Sequence, residues 1–172
     1  MKTSLYIIAV FAIFLFSCSS KKTATELFSE AQKFTQEKNI PDAVSTYEKI
    51  IHEYPEDKVI APQAIANLAA IYQNKMVKNV AEKESLQKAI KLFRSIYEDY
   101  PQSEQAPMGL FMSGFLQANE LKDFNSATAT YNLFLEKYPN HELAKSVKEE
   151  LDNMGLSPEE ILLKHLAKSE KK

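Results

Sequence analysis

One thiol, Cys18, and three histidines at 52, 141 and 165 are the side chains whose type alone points to covalent or metal chemistry. A single cysteine makes no internal disulfide. The histidines are too scattered for a metal-ligand set, so no metal and no cofactor is expected. The neighbouring carboxylates Glu149 and Glu150, and Glu159 and Glu160, point about 100° apart on a helix and do not make an acid/base couple; they read as solvated faces. His52 falls just before a helix end, where the dipole mildly favours an imidazolium, and needs no other role. No Gly-x-Ser-x-Gly, Gly-rich phosphate loop or His-Glu-x-x-His stretch occurs, so no nucleophile with its base is in view. The chain is expected not to be an enzyme. Charge is balanced, 21 Lys+Arg against 23 Asp+Glu, which implies no nucleic-acid partner.

The setting of Cys18 gives the thiol a different use. Lys2 precedes an apolar run from Leu5 to Phe16, shorter than the roughly 18 to 20 residues that cross a bilayer and matched to a signal peptide. The run ends in Leu15-Phe16-Ser17-Cys18, which resembles the lipobox of bacterial lipoproteins; Phe16 departs from it, small or branched residues being commoner there. The resemblance implies that residues 1–17 are a removed signal peptide and that Cys18 becomes the first residue, carrying S-diacylglycerol and N-acyl lipid. A plain secretory signal, or an uncleaved anchor with an incidental thiol, are the alternatives. One acyl chain binds a membrane marginally, at about 0.8 kcal/mol per methylene, and two or three hold durably. Ser19 and Ser20 follow, where an Asp would mark inner-membrane retention under the enterobacterial rule. Outer-membrane anchorage facing the periplasm is expected, with surface export as the other arrangement, and residues 18–25 form a short polar tether.

The elements behind the tether are legible from periodicity. Of 172 residues, 45% are hydrophobic and 26% charged, with three Gly and seven Pro; after residue 20 no strand-like alternation recurs, so one helical domain is expected. Three segments align: Ala43, Tyr47, Ile50, Tyr54-Pro55; Ala89, Phe93, Ile96, Tyr100-Pro101; Ala127, Tyr131, Phe134, Tyr138-Pro139. Steps of four, three and four put each set on one helical face, and Pro ends the helix at the Tyr before it. A small residue on the preceding helix, Ala31, Ala69 or Gly114, allows each pair to approach closely. Pro41, Ser85 and Asp123 are expected to open or cap the second helices, Asp57 and Ser103 to cap two first helices. Pro62 and Pro107 fall late for a first helical position, so those helices start after them or bear an irregular first turn.

This pattern resembles the tetratricopeptide repeat, a helix hairpin of nominally 34 residues. Longer first helices and Tyr-Pro endings are similar to the periplasmic subclass of the Tol-Pal-associated division coordinator and the barrel-assembly lipoprotein. The expected fold is all-α: an α-solenoid of about three tetratricopeptide-like hairpins over 26–139 (26–55, 57–101, 103–139), C-terminal capping helices over 140–168, and a charged tail, 169–172. In the last part Leu143, Ala144, Val147 and Leu151 share a face, Gly155 stops the helix, and Ser157-Pro158-Glu159-Glu160 is a capping box opening a helix whose Ile161, Leu162 and Leu166 need covering.

The resemblance implies that the first helices line a concave face, where an envelope protein or extended peptide lies. Counting from the small residues, that face includes Gln32, Gln36, Gln63, Gln73, Asn74 and Asn119. Amides donate and accept, as a peptide backbone requires; equally, they are ordinary soluble helix surface. Lys and Arg are missing from those places, which argues against a terminal-carboxylate ligand. Met108, Phe111 and Phe115 form an apolar stripe on the same side, either core or binding surface. The function expected is a lipid-anchored interaction adaptor of the Gram-negative envelope, in outer-membrane protein assembly or division coordination. Alternatives are an accessory subunit of an envelope enzyme or a surface-exposed binding lipoprotein. The insertion around Lys75, Lys78, Glu82, Lys83 and Glu84 reads as solvated charge.

Overall fold

The computed structural model describes residues 21–169; the expected signal peptide, the expected lipidation at Cys18 and most of the charged tail lie outside the described residues. All regular structure among these residues is helical: α1 (Ala24–Gln36), α2 (Ile40–Glu53), α3 (Ile60–Gln73), α4 (Glu82–Asp99), α5 (Ala106–Phe115) running into a π-helical turn (Leu116–Glu120), α6 (Phe124–Lys137), α7 (Ala144–Asn153) and α8 (Pro158–Ser169). Each helix from α1 to α7 packs on the next, and α1 also touches α3. The chain is therefore an all-α, tetratricopeptide-like solenoid, with α1, α3 and α5 as the first helices of three hairpins.

The repeated residues form the core. Ala43, Tyr47 and Ile50, then Ala89, Phe93 and Ile96, then Ala127, Tyr131 and Phe134 are all buried, as are Ala31 and Ala69 opposite them. Tyr54, Tyr100 and Tyr138 end α2, α4 and α6 with φ of −132°, −132° and −130° and ψ of 44°, 55° and 52°. The following Pro excludes the α conformation at that residue, so all three stops share one geometry.

Two glycines set how closely the layers approach. A Cβ on Gly114 would stand 2.7 Å from the Tyr131 ring, and one on Gly109 would stand 2.6 Å from the Phe93 carbonyl oxygen. Helix propensity alone favours Ala over Gly by about 1 kcal/mol. The Phe93 carbonyl belongs to the α4 backbone and cannot rotate aside, so α4 and α5 must separate. Gly109→Ala is thus expected to destabilise the fold by about 1–3 kcal/mol, read as a lower urea midpoint; a raised midpoint would disprove the close approach.

Several ends differ from expectation. A capping box joins Thr23 and Glu26: the Thr23 N–H donates to Glu26 Oε2 at 2.8 Å and the Glu26 N–H to Thr23 Oγ1 at 3.2 Å. α1 therefore begins at Ala24, inside the stretch assigned to the tether. Ser85 does not cap α4, which starts at Glu82; it is buried, and its hydroxyl donates to the Tyr72 carbonyl at 2.6 Å, tying α4 to the end of α3. Asp123 does cap α6, accepting from the Ser126 N–H at 3.1 Å, and those hydrogen bonds hold its carboxyl below the usual range. Asp57 accepts from the N–H groups of Val59 and Ile60, whereas the buried Ser103 hydroxyl has no partner. Pro62 and Pro107 sit inside the first turns of α3 and α5. Neither turn needs to be irregular, because the first four N–H groups of a helix have no intrahelical acceptor.

α7 closes the third hairpin with buried Ala144 and Val147. α8 opens with the expected box, the Ser157 N–H donating to Glu160 Oε2 at 2.7 Å and the Glu160 N–H to Ser157 Oγ at 3.2 Å. It does not cover its leucines: Leu162 and Leu163 are 60% and 65% exposed. The face meeting α7 is the one carrying Ile161 and Lys164, and Lys164 Nζ donates to the Asp152 carbonyl and to Asn153 Oδ1.

Candidate partner-binding groove

In register with Ala31, Ala69 and Gly114, the solvent-facing side of the first helices changes along the solenoid. On α1 it is polar: Ser29, Gln32 and Gln36 are exposed. On α3 it is a half-buried line of Gln63, Ala66, Asn67, Ala70 and Gln73, spaced at three and four residues so that amides flank two short alanines. On α5 the corresponding positions are Met108, Phe111, Met112 and Phe115. Met108 is 47% exposed and the other three are half-buried.

The stripe at 108, 111 and 115 is both core and surface. Phe111 packs with the α6 core and lies 6.2 Å, centroid to centroid, from Phe115 and from Tyr131. Phe115 and Met112 lean on the larger core of the first two hairpins. Their inner edges are fixed by packing while the outer edges stay in water, and Met108 stands clear of both.

The remaining predicted residues divide. Gln36 and Gln73 end α1 and α3. Asn74 caps α3, its side-chain amide donating to the Ala70 carbonyl at 2.8 Å. Asn119 leaves the α5 line, because the α-helical count fails after Phe115: the Leu121 N–H bonds five residues back, to the Leu116 carbonyl, at 3.0 Å. The extra residue turns Asn119 toward α7, where its Nδ2 donates to Glu150 Oε2 at 3.1 Å. Buried Thr130 on α6 pins the turn by donating to Gln117 Oε1 at 2.8 Å. Nothing in Leu116–Glu120 distinguishes it from α-helix in sequence.

The Tyr-Pro motif has a second task. Tyr100 Oη donates to the Pro55 carbonyl at 2.8 Å and Tyr138 Oη to the Pro101 carbonyl at 3.4 Å, so each repeat's last Tyr latches onto the previous repeat's Pro. Tyr54, with no earlier Tyr-Pro corner among the described residues, donates to the Lys22 carbonyl. Burial, followed by the charges of Asp99, Glu56 and Asp57, pushes the Tyr100 phenol upward, keeping it a neutral donor. Lys21 lies 4.9 Å over the Tyr54 ring and Lys58 lies 5.1 Å over that of Tyr100.

In the insertion, Lys75 pairs with Glu82 and approaches Glu120 at 3.9 Å. Met76 and Val77 pack onto the core, leaving a cleft of about 430 Å³ against Ile40, Pro41 and Val44. Among the described residues no group of His, Cys, Asp or Glu is arranged to hold a metal, and no helix is long and apolar enough to cross a membrane.

No curated protein matches the chain. Residues 109–141 match the tetratricopeptide repeat family, a stretch that runs through α5, the π turn and α6 to the residues just past Tyr138-Pro139. The third hairpin is thus similar to a protein-interaction repeat over nearly its whole length, and the two before it repeat its Ala, aromatic and Tyr-Pro register.

Proposed function

We propose that this protein is a lipid-anchored adaptor of the Gram-negative envelope, held by lipid on Cys18 at the periplasmic face of the outer membrane. Its α1, α3 and α5 faces take an extended segment of a partner protein. The observation that carries the reading is the line Met108, Phe111, Met112 and Phe115, wet on its outer side, next to a helix that offers amides and alanines. Met and aromatic side chains are the types enriched in interface hot spots, and the amides suit a peptide backbone. Apolar residues of the ligand fit against α5 and its main chain against Gln63, Asn67 and Gln73. Outer-membrane protein assembly and division coordination are processes in which such an adaptor fits.

Photocrosslinking groups placed singly at Met108, Gln73 and Gln32 in intact envelopes test this, with exposed Glu48 on α2 as the control position. The expected result is one shared adduct from the three first-helix positions and none from Glu48. Equal labelling at all four, or nothing above background, removes the groove from the account.

A further inference from the structure

We infer that the cavity between the π turn, the start of α6, α7 and α8 is a binding site for an organic cation, a primary ammonium on a short alkyl stem such as a lysine side chain. The cavity has a volume of about 410 Å³, and Asn119, Phe124, Glu149, Glu150, Asn153 and Met154 are among the residues lining it. This site is independent of the groove on α1, α3 and α5.

Glu150 is the anchoring group. It is half-buried, accepts from Asn119 Nδ2 at 3.1 Å, and makes no ion pair among the described residues. Near it lies the hydroxyl of the fully buried Tyr131, which faces the Glu150 carboxylate as a neutral donor. Burial first, and then the Glu150 carboxylate, push that phenol far upward, so Tyr131 contributes no charge. A half-buried carboxylate met only by neutral donors keeps its charge uncompensated, and an ammonium supplies the opposite charge together with three donors. Glu149, whose nearest cation is Lys145 at 3.9 Å, adds a second negative charge. Lys122 is the cation in the lining, so the two carboxylates outweigh it.

The end of α7 adds to this preference, since helix C-termini favour cations. It already accommodates one: Lys164 Nζ donates to the Asp152 carbonyl and to Asn153 Oδ1. The opposite wall is apolar, with Phe124 39% exposed and Met154 beside it. Gly155, at φ 79°, puts no side chain over the Phe124 ring, leaving that face open to a cation or an alkyl stem. The π turn is what brings Asn119 into this wall; such turns recur at functional sites.

The test is an NMR titration of the full chain in detergent with n-butylammonium chloride, following the side-chain amides of Asn119 and Asn153. Sodium butyrate and n-butanol serve as the anionic and neutral probes of the same length. Saturable shifts of both amides with butylammonium alone are expected, about tenfold weaker in Glu150→Gln, the scale of one lost charge-assisted contact. Glu149→Gln should weaken binding in the same direction and Lys122→Gln should tighten it, which keeps the test valid if one variant misfolds. Equal binding of butyrate would make this an anion site at Lys122. Equal binding of butanol would make it an apolar crevice, and unshifted amides would make it no site. Each of these overturns the inference.

Discussion

Phe134→Ala is expected to be the most damaging single core substitution, lowering unfolding free energy by about 3–5 kcal/mol. Phe134 is fully buried, and its ring centroid lies 5.5 Å from that of Tyr138 and 5.9 Å from that of His141. The cavity left behind lies between α6 and the turn that leads into α7. That turn depends on His141, whose Nδ1 accepts from the Leu143 N–H at 3.1 Å. Domains of this size hold roughly 5–15 kcal/mol in total, and a solenoid's stability is local to neighbouring repeats. Protection from hydrogen exchange in α7 should therefore fall before that in α1 and α2, with the melting midpoint lowered by about 10 °C. A uniform loss across all helices would mean that the repeats unfold as one unit.

The second large effect concerns membrane attachment. Cys18→Ser, carried behind a secretory signal whose cleavage does not need the thiol, removes every proposed acyl chain. At about 0.8 kcal/mol per buried methylene, losing two or three chains should shift the protein from the membrane to the soluble fraction, by several orders of magnitude in partition. Helical content should be unchanged, because the capping box at Thr23 and Glu26 starts the fold beyond the anchor. Retention of the serine variant in carbonate-washed membranes would refute the lipid anchor.

Much of the fold was readable because its strongest signals are local. Ala43, Tyr47, Ile50 and Tyr54 carry a helical period and a proline stop within one short segment, and so do their two counterparts. What escaped the reading depends on partners far along the chain. The acceptor of Tyr100 Oη is 45 residues away, so the Tyr-Pro pair showed only its role as a stop. Gly109 carries no signal in its own segment, because what requires it is the Phe93 carbonyl oxygen, 2.6 Å from where a Cβ would stand. Ser85 has the chemistry of a cap, yet Glu82 and Glu84 begin the helix earlier, freeing its hydroxyl for Tyr72. Of the predicted site, Gln32, Gln36, Gln63 and Gln73 lie on the first helices as counted from the small residues. Asn119 does not follow that count, because no residue in Leu116–Glu120 announces a five-residue hydrogen-bond step.

The Tyr54 hydroxyl on the Lys22 carbonyl has a consequence for posture. Only residues 18–21 separate the proposed lipid from that clamped peptide group, a span of about 14 Å even fully stretched. With the proposed lipid in place, the Tyr54 corner would be held within that distance of the headgroups. A bound partner would then be met first at the end of the solenoid nearest the bilayer, where α1 and α2 lie.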